Sequence, residues 1–291
     1  MAHGSRVCPQ CGRLNAAEDK TCFNCGKRLL GPVGTSAAGF WTDFSADGLP
    51  ATKLLAGWCI VVYGLMMVGE GSFRFEVAVS GAFRLSTLLR FGVLYGDLAW
   101  HEPWRLLAAV SMHFGLLHIG MNMLSLINLG RSLEPHFGSA RFMILYVWAG
   151  ILGFVASQWW YGSSPPTAGA SGAIFGLIGA MVGVLLVRRD PRGRRALVNY
   201  LVYAVILSFM LPVNTAAHIG GFFAGILLGG AFEWERQPHQ RAKLMLALAG
   251  LCFAASVGSL ALSARSPVWK QVRQIEMSRA EEAERGRLDS E

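Results

Sequence analysis

Stretches of about twenty apolar residues recur along this chain, and they restrict its fold more than any other feature. A helix of about 20 apolar residues crosses the ~30 Å hydrocarbon core of a bilayer. Only 15% of the 291 residues are charged, whereas charged residues make up about 25% of ordinary soluble domains. The sequence therefore predicts an all-α polytopic membrane protein. Seven segments are predicted to span the membrane: 54–70, 105–129, 141–161, 171–187, 195–212, 215–232 and 243–263.

The positive charge lies in loops, not in one basic domain. The net charge is +8, and the densest basic run is 188–195, between the fourth and fifth segments. Short loops rich in Lys and Arg stay in the cytoplasm, so we expect 131–141 and 236–243 on that side too. The N-terminus is then cytoplasmic and the C-terminus exofacial. Because the charge is spread over loops, we expect no nucleic-acid partner. The first 50 residues are polar and do not resemble a signal peptide.

Two Cys-x-x-Cys pairs stand near the N-terminus. They are Cys8, Cys11, Cys22 and Cys25. Paired cysteines at this spacing are typical of a tetrahedral zinc site with a closed ligand shell, which predicts a structural and not a catalytic metal. The alternative, two disulfides, requires an oxidising compartment. We expect a zinc ribbon over 1–30 and a flexible linker over 31–50, and the ribbon either docks an unknown protein partner or serves as a folded cap.

Polar residues inside the apolar segments are costly, and each is a functional hypothesis by default. The second segment contains His118 and Asn122, four residues apart and therefore on one helix face. The fourth segment begins at Ser171, and His218 lies near the start of the sixth. Gly221, Gly225 and Gly229 share the helix face of His218. A glycine face admits a second helix backbone, so Ser171 and His218 are predicted to come within hydrogen-bond reach.

These residue types suit nucleophilic catalysis. A serine hydroxyl needs a base to take its proton, and His218 is the base that the pattern offers. The fourth and sixth segments contain no Asp or Glu, which predicts a Ser–His dyad instead of a triad. The side chains of His118 and Asn122 and the backbone N–H of Ser171 are candidate donors to an oxyanion.

Each of these residues also has an ordinary structural interpretation. A single serine or asparagine in a membrane helix usually packs or joins two helices, and a single histidine is usually a structural polar group. His113 is predicted to be structural and to hold the external loop. Phe175, one turn after Ser171, either packs on His218 or belongs to the ordinary core. The combination of four polar groups on three segments favours the functional interpretation.

The ordered motifs over residues 54–232 resemble the rhomboid family of intramembrane serine proteases. They are Glu102-Pro103-Trp104-Arg105, then His113, His118 and Asn122, then Gly169-x-Ser171-Gly172, and last His218 with Gly221 and Gly225. The resemblance implies a six-helix core over 51–235, with Ser171 as nucleophile and His218 as general base. It also implies an oxyanion hole of His118, Asn122 and the Ser171 amide. Phe175 departs from the family, in which this position is often Tyr.

The resemblance carries further expectations. Substrates would be transmembrane proteins cut in or near their own membrane helix, within the lipid bilayer and without a catalytic cofactor. The location would be a bacterial inner membrane. Trp104 and Arg105 would shape a loop that lies partly in the membrane, or else act as interfacial anchors. The loop with Pro212 and Asn214 would gate substrate entry. Beyond the match, the sequence itself predicts a seventh transmembrane helix over 236–265 and a charged tail over 266–291. The tail either extends as a helix or stays a solvated end, and we favour the second interpretation.

Two other functions remain open at this point. A catalytically silent rhomboid-like scaffold would bind membrane clients, although such relatives typically lack the serine or the histidine. A transporter would use the polar residues as a pathway, but neither an inverted repeat nor a charged relay is evident in the sequence.

Overall fold

The structure is a computed structural model in two compact units, Met1–Pro50 and Ala51–Glu291. The fifth predicted segment lies almost wholly outside the described residues, as do Pro212, Cys8, Cys11 and most of the predicted linker. The structure describes 48–71, 75–162, 165–192, 214–235 and 241–288, with short pieces at 5–7, 13–16, 19, 21–26, 195, 197–199 and 202.

The first unit contains a small antiparallel ribbon. Strand β1 (Ser5–Val7) pairs with β2 (Leu14–Ala16). The second cysteine pair follows in a turn, in which the N–H of Gly26 donates to the carbonyl of Cys22 at 2.9 Å. Gly26 has φ +69°, a conformation that glycine adopts without cost. Cys22 is buried, whereas Cys25 is exposed. This tight turn suits one half of a zinc knuckle, while the other half lies outside the described residues.

All the named elements in the described part of the second unit are helices, with one isolated β-bridge between Leu94 and Thr167, which confirms the predicted all-α membrane fold. Helices α1, α7, α9 and α10 are each long and apolar enough to span a bilayer, and α5 with α6 makes a fifth span if the bent pair counts as one. The helices are α1 (Pro50–Gly69), α2 (Phe75–Ser80), α3 (Leu85–Phe91), α4 (Leu98–His101), α5 (Arg105–Ser111), α6 (Leu116–Phe137), α7 (Ser139–Tyr161), α8 (Ser171–Val187), α9 (Thr215–Trp234), α10 (Ala242–Arg265) and α11 (Val268–Leu288).

The second predicted segment, 105–129, is not one straight span. It is divided into α5 and α6, which meet at an angle of 91°. Gly115 at the break has φ +141°, and a Cβ there would lie 2.7 Å from the carbonyl oxygen of Val79. The turn therefore requires glycine and a close approach of α2. The mostly apolar composition on both sides of Gly115 concealed the break, because a short buried helix is as apolar as part of a transmembrane one.

Helices α8 and α9 lie in direct backbone contact along several turns. A Cβ at Gly221 would overlap the carbonyl oxygen of Gly172, and one at Gly225 would overlap that of Gly176. Gly229 lies in the same way against Ala180. The glycine face predicted for the histidine helix is thus filled by the serine helix. Helix α7 packs on both of them, so the three helices form the centre of the unit.

A buried carboxylate fixes the start of α1 to α6. Glu134 is 1% exposed and accepts hydrogen bonds from the backbone N–H groups of Ala51 and Thr52, each at 2.8 Å. The Thr52 hydroxyl donates to the same carboxylate at 2.6 Å. The first N–H groups of a helix lack partners within it and attract negative charge, so Glu134 caps α1 from a distant part of the chain.

The described residues that flank the basic loops lie together at one end of the helical unit. Glu233, at the end of α9, binds His136 at 3.1 Å and Arg188 at 2.7 Å. Glu235 likewise binds Arg141 and Arg241, each at 3.1 Å. These ion pairs join the ends of α6, α8 and α9 to the starts of α7 and α10. The residues that flank the three basic loops are therefore on one side of the helical unit, as the sequence predicted. Which side of the membrane this end faces stays a prediction.

The residues beyond α10 form the helix α11, which has no buried residue. A helix is one of the two forms that the sequence left open for the charged tail, but the packing of its first half on α3 was not predicted. Tail residue Glu276 accepts a hydrogen bond from the Ser86 hydroxyl at 2.5 Å, and Arg90 lies 5.3 Å from the ring of Trp269. The high charge of the tail concealed this packing, because only a few of its residues make the contacts.

Replacing a packed glycine is expected to destabilise the unit far more than replacing an open one. Gly225→Ala places a methyl group against the Gly176 carbonyl, and overpacking of this kind costs about 1–3 kcal/mol. Gly258→Ala in α10 is the control, because nothing lies within 4 Å of a Cβ there. Unfolding in mixed micelles measures both variants. Equal stability of the two would contradict the close packing of α8 on α9.

Candidate active site

Ser171 and His218 come together where α8 and α9 begin. Ser171 is the first residue of α8, and His218 lies in the first turn of α9. Ser171 Oγ is 2.8 Å from His218 Nε2. The serine side chain is partly accessible and the histidine is 9% exposed. A hydroxyl that donates to a neutral imidazole at this distance is placed to lose its proton to it.

Asn214 fixes the start of the histidine helix. Its Oδ1 accepts a hydrogen bond from the N–H of Ala217 at 2.9 Å, which makes it the N-cap of α9. Its Nδ2 donates to the Ser157 hydroxyl of α7 at 2.6 Å and lies 3.5 Å from Thr167 Oγ1. Asn214 therefore ties His218 to α7 and to the segment before Ser171. The gating role that the resemblance implied for the loop with Pro212 and Asn214 stays a prediction, since most of that loop lies outside the described residues.

Phe175 packs against the histidine ring. The centroids of the two rings are 4.3 Å apart and their planes are inclined by 32°. Of the two interpretations that the sequence left open, the structure shows packing on His218. This stacking restricts the rotation of the imidazole. The phenylalanine holds the ring without offering the hydroxyl that a tyrosine would add here.

The hydrogen bonds of His118 indicate which of its nitrogens carries the proton. The N–H of Phe114 donates to His118 Nδ1 at 3.3 Å, so Nδ1 is an acceptor. In a neutral imidazole the proton then lies on Nε2, next to Gly169, whose Cβ would lie 2.9 Å from that atom. Asn122 donates one amide N–H to the His118 carbonyl at 2.8 Å. Its other amide N–H is available to the cavity that it lines.

His113 lies in the break between α5 and α6, not on a helix as the continuous segment implied. It is completely buried. Its Nε2 lies 3.5 Å from the N–H of Ala170, the residue before the serine. Its ring packs edge-on against His118, with the centroids 5.1 Å apart. His113 therefore supports both the serine turn and the histidine beside it, which extends the structural role that the sequence predicted.

The segment that leads to Ser171 is held by backbone hydrogen bonds. Thr167 pairs with Leu94 in both directions, at 2.8 and 3.1 Å. The N–H of Gly169 donates to the carbonyl of Ala109 at 2.9 Å. Gly169 has φ +138°, a value that favours glycine. Since α8 begins directly after this segment, the Ser171 N–H lies at the positive end of the helix dipole, where it can bind a developing negative charge.

Arg105 organises the loop before α5 from the inside. Its side chain is fully buried, and its Nε donates to Glu102 Oε2 at 2.6 Å. Its Nη1 donates to the carbonyl of Leu89 at 2.8 Å and lies 3.4 Å from that of Val93. An interfacial anchor would reach the headgroups, so that interpretation is wrong for Arg105. Trp104 is half-buried directly before it.

The serine and histidine open into a cavity of about 940 Å³. None of its described lining residues is acidic; the acidic residue of α9, Glu233, lies at the opposite end of that helix. The lining residues are Phe114, His118, Met121, Asn122, Ser125, Asn128, Leu129, Tyr161, Pro165, Pro166, Thr167, Ala168, Ser171, Ile174, Phe175, Ile178, Asn214 and His218.

Ser125 and Asn128 are cavity residues that the sequence analysis missed. They continue the polar face of α6 below His118 and Asn122. The signal was present, because the four positions are separated by 4, 3 and 3 residues, a helical spacing. Leu94 and Thr167 carried no comparable signal, since their contribution is made by backbone atoms.

Comparison with known proteins adds the family. A model of the rhomboid domain matches residues 100–234, which includes Ser171, His218 and the residues around them. The chain belongs to the rhomboid family. Its candidate site therefore lies within the part of the chain that the rhomboid model matches, in a protein with helices long and apolar enough to span a membrane.

Individual rhomboids resemble this one along different parts of the chain. Rhomboid protease GluP of Bacillus subtilis is 34% identical over 228 residues, which cover 76% of this chain and 42% of that protein. RHOMBOID-like protein 7 of Arabidopsis thaliana is 33% identical over 181 residues, 57% of this chain and 58% of that protein. Putative rhomboid protease YdcA of Bacillus subtilis is 34% identical over 134 residues, 44% of this chain and 66% of that protein. The match therefore spans about half the length of the first two relatives.

A side chain at Gly169 is expected to disturb the site through His118. Gly169→Ala brings a methyl group to 2.9 Å from His118 Cε1 and Nε2, which displaces the ring and its N–H. The reactivity of Ser171 towards a fluorophosphonate probe should fall by roughly 10²-fold, as when one oxyanion donor is lost.

Gly162→Ala is the matched control for this change. Gly162 also has positive φ, +59°, but nothing lies within 4 Å of a Cβ there. Its labelling rate should stay near that of the wild type. If both variants lose reactivity equally, backbone strain and not His118 explains the effect.

Proposed function

We propose that this rhomboid is an intramembrane serine endopeptidase, with Ser171 as nucleophile and His218 as general base. The observation that carries the proposal is the 2.8 Å contact between Ser171 Oγ and His218 Nε2 at the edge of a large cavity within the helical unit. The relatives named rhomboid protease support the reaction class. The absence of an acidic residue from the described cavity lining supports a dyad.

The acylation half of the reaction follows from the positions of the atoms. Ser171 Oγ attacks the carbonyl carbon of the substrate peptide while its proton passes to His218 Nε2. The carbonyl oxygen becomes an oxyanion, and the Ser171 N–H, the Nε2–H of His118 and the free amide N–H of Asn122 donate to it. The resulting imidazolium gives its proton to the leaving amine nitrogen as the C–N bond breaks. An acyl group remains on Ser171.

Deacylation uses the same groups with water as the nucleophile. His218 Nε2 takes a proton from water, whose oxygen attacks the acyl carbon. The oxyanion forms again beside the same donors, and the ester bond to Ser171 Oγ breaks as the imidazolium returns its proton to that oxygen. The products are a new carboxylate and the free serine. No metal or cofactor is proposed for either half.

The substrate class follows from the cavity and from helix geometry. The carbonyl groups within an intact helix are covered by their own hydrogen bonds, so attack requires a locally unwound segment. Residues with poor helix propensity, above all Gly and Pro, favour unwinding. We therefore propose transmembrane proteins with small or helix-breaking residues near the cut. The polar groups of Ser125 and Asn128 in the cavity offer partners to backbone groups that unwinding exposes.

The central test is cleavage of a single-span model substrate by the purified protein in lipid vesicles. We expect wild type to cleave it, and Ser171→Ala and His218→Ala to lose roughly 10⁴-fold to 10⁶-fold in turnover, as in other serine proteases. Ser132→Ala changes an exposed serine of α6 and should retain turnover. Product identified by mass spectrometry locates the cut.

Two results would reject the proposal. Cleavage that persists in Ser171→Ala would exclude this serine as nucleophile. A folded wild type that neither cleaves nor reacts with a fluorophosphonate would favour the alternative, a catalytically silent scaffold that binds membrane clients.

We also propose that the N-terminal cysteines hold one structural zinc ion. The tight turn from Cys22 to Gly26 suits two of the four thiolates, and Cys8 and Cys11 supply the spacing of the other pair. A closed thiolate shell stabilises the fold of the ribbon and offers no open position for chemistry. Its partner, if the ribbon docks one, would be a protein.

Elemental analysis of the dialysed full-length protein tests this metal. We expect about one zinc per chain, in line with a Cys₄ site, and a large loss in Cys25→Ser. Cys252→Ser, which changes a cysteine within α10, should retain the metal. Substrate turnover should survive the loss of zinc, and a collapse of turnover in an otherwise folded protein would contradict a purely structural metal.

A further inference from the structure

The residues after α10 bind the loop that precedes α5 at three points. The loop is residues 75–104, called here the first loop, and the three tail residues Ser266, Trp269 and Glu276 are called the C-terminal clamp. Glu276 accepts hydrogen bonds from the hydroxyl and the backbone N–H of Ser86, at 2.5 and 3.2 Å. The Arg90 guanidinium lies 5.3 Å from the ring centroid of Trp269, within the range of a cation–π contact.

The third contact is the most buried. The Ser266 hydroxyl donates to Glu102 Oε1 at 2.6 Å, and the two residues are 5% and 9% exposed. The other oxygen of Glu102 accepts from Arg105 Nε. Both oxygens of the buried Glu102 carboxylate are thus bound. One of the two donors, Ser266, lies outside the six-helix core. Removing a partner from a buried charged group is costly, so Ser266 helps to fix the Glu102–Arg105 pair.

Two sets of hydrogen bonds, joined by short stretches of the chain, connect this pair to the segment before the serine. Arg105 holds the carbonyls at the end of α3 through Leu89 and Val93. The next residue, Leu94, pairs with Thr167 in both directions. Thr167 lies four residues before Ser171. The first loop is therefore bound to the C-terminal clamp on one side and to the serine segment on the other.

The close packing of α10 on α3 is a further contact between the C-terminal part of the chain and the first loop. Ser263 is completely buried, and a Cβ at Gly92 would lie 2.6 Å from its hydroxyl oxygen. Gly92 ends α3 with φ +96°, immediately before Val93. The second half of α11 is exposed, so its binding to the first loop is confined to the residues nearest α10.

We propose that the C-terminal clamp positions the active site, with Ser266 as the principal positioning residue. It keeps the first loop in the register that pairs Leu94 with Thr167, and thereby keeps the serine segment in the geometry that reacts. The clamp acts through other residues and does not touch the substrate. This inference rests on the proposed protease function, since it describes how the same Ser171 is held.

Hydrogen exchange and probe labelling of the full-length protein test the clamp together. Ser266→Ala should increase amide exchange at 93–94 and at 167–170, and should slow fluorophosphonate labelling of Ser171 by about tenfold, as expected when a bond to a charged group is lost. Ser266→Thr retains the hydroxyl and should restore both. Ser278→Ala, an exposed serine of α11, is the control and should match wild type.

A second variant keeps the test valid if Ser266→Ala does not fold. Glu276→Ala removes the contact with Ser86, and Glu282→Ala changes an exposed carboxylate of the same helix. For substrate cleavage we expect Glu276→Ala to lower kcat more than it raises KM, with Glu282→Ala unchanged. A general loss of stability would not lower kcat in preference to raising KM, and would not increase amide exchange at 167–170 in preference to other residues.

The clamp and the protease proposal fail in different ways. If Ser266→Ala and Glu276→Ala loosen only residues near 263–276, while 93–94 and 167–170 stay as protected as in wild type, the clamp is overturned even with full activity. If wild type shows neither labelling nor cleavage, the protease proposal is overturned. Increased exchange at 167–170 in the variants would then still support the mechanical link.

Discussion

The backbone contact between α8 and α9 is the constraint on which the rest of the structure depends. Gly176 and Gly225 remove the side chains that would hold the helices apart, and close approach permits weak Cα–H···O contacts and dense packing. A serine and a histidine 47 residues apart in sequence then meet at 2.8 Å. If the helices were separated by the width of one methyl group, this hydrogen bond would be lost, so packing and chemistry share one cause.

The polar groups around this contact are held by other polar groups instead of by solvent. Asn214 caps the histidine helix, His113 supports the serine turn, and the Phe114 N–H sets the tautomer of His118. In an apolar surrounding an unpaired polar group is costly, so each of these bonds also keeps its partner in one orientation. The donors of the proposed oxyanion hole are thus arranged before a substrate arrives, as electrostatic stabilisation of an oxyanion requires.

Sequence and structure agree best where a pattern is local and disagree where it depends on distant contacts. The spacing of Gly221 and Gly225 was enough to predict which face of α9 receives another helix. The broken helix at Gly115 was not predicted, because its turn depends on the approach of α2. The packing of α11 was missed for a related reason, since a few contacts such as Glu276 with Ser86 are hidden within a strongly charged tail.

The sequence by itself determined the class of the protein, its apolar segments and the residue types of its site, because hydrophobicity, helical spacing and side-chain chemistry are local properties. Tertiary structure alone decided how those residues are held. The pairing of Leu94 with Thr167 and the burial of Arg105 with Glu102 join segments far apart in the chain. Backbone hydrogen bonds and long-range burial leave no periodic trace in the sequence, and only the folded chain reveals them.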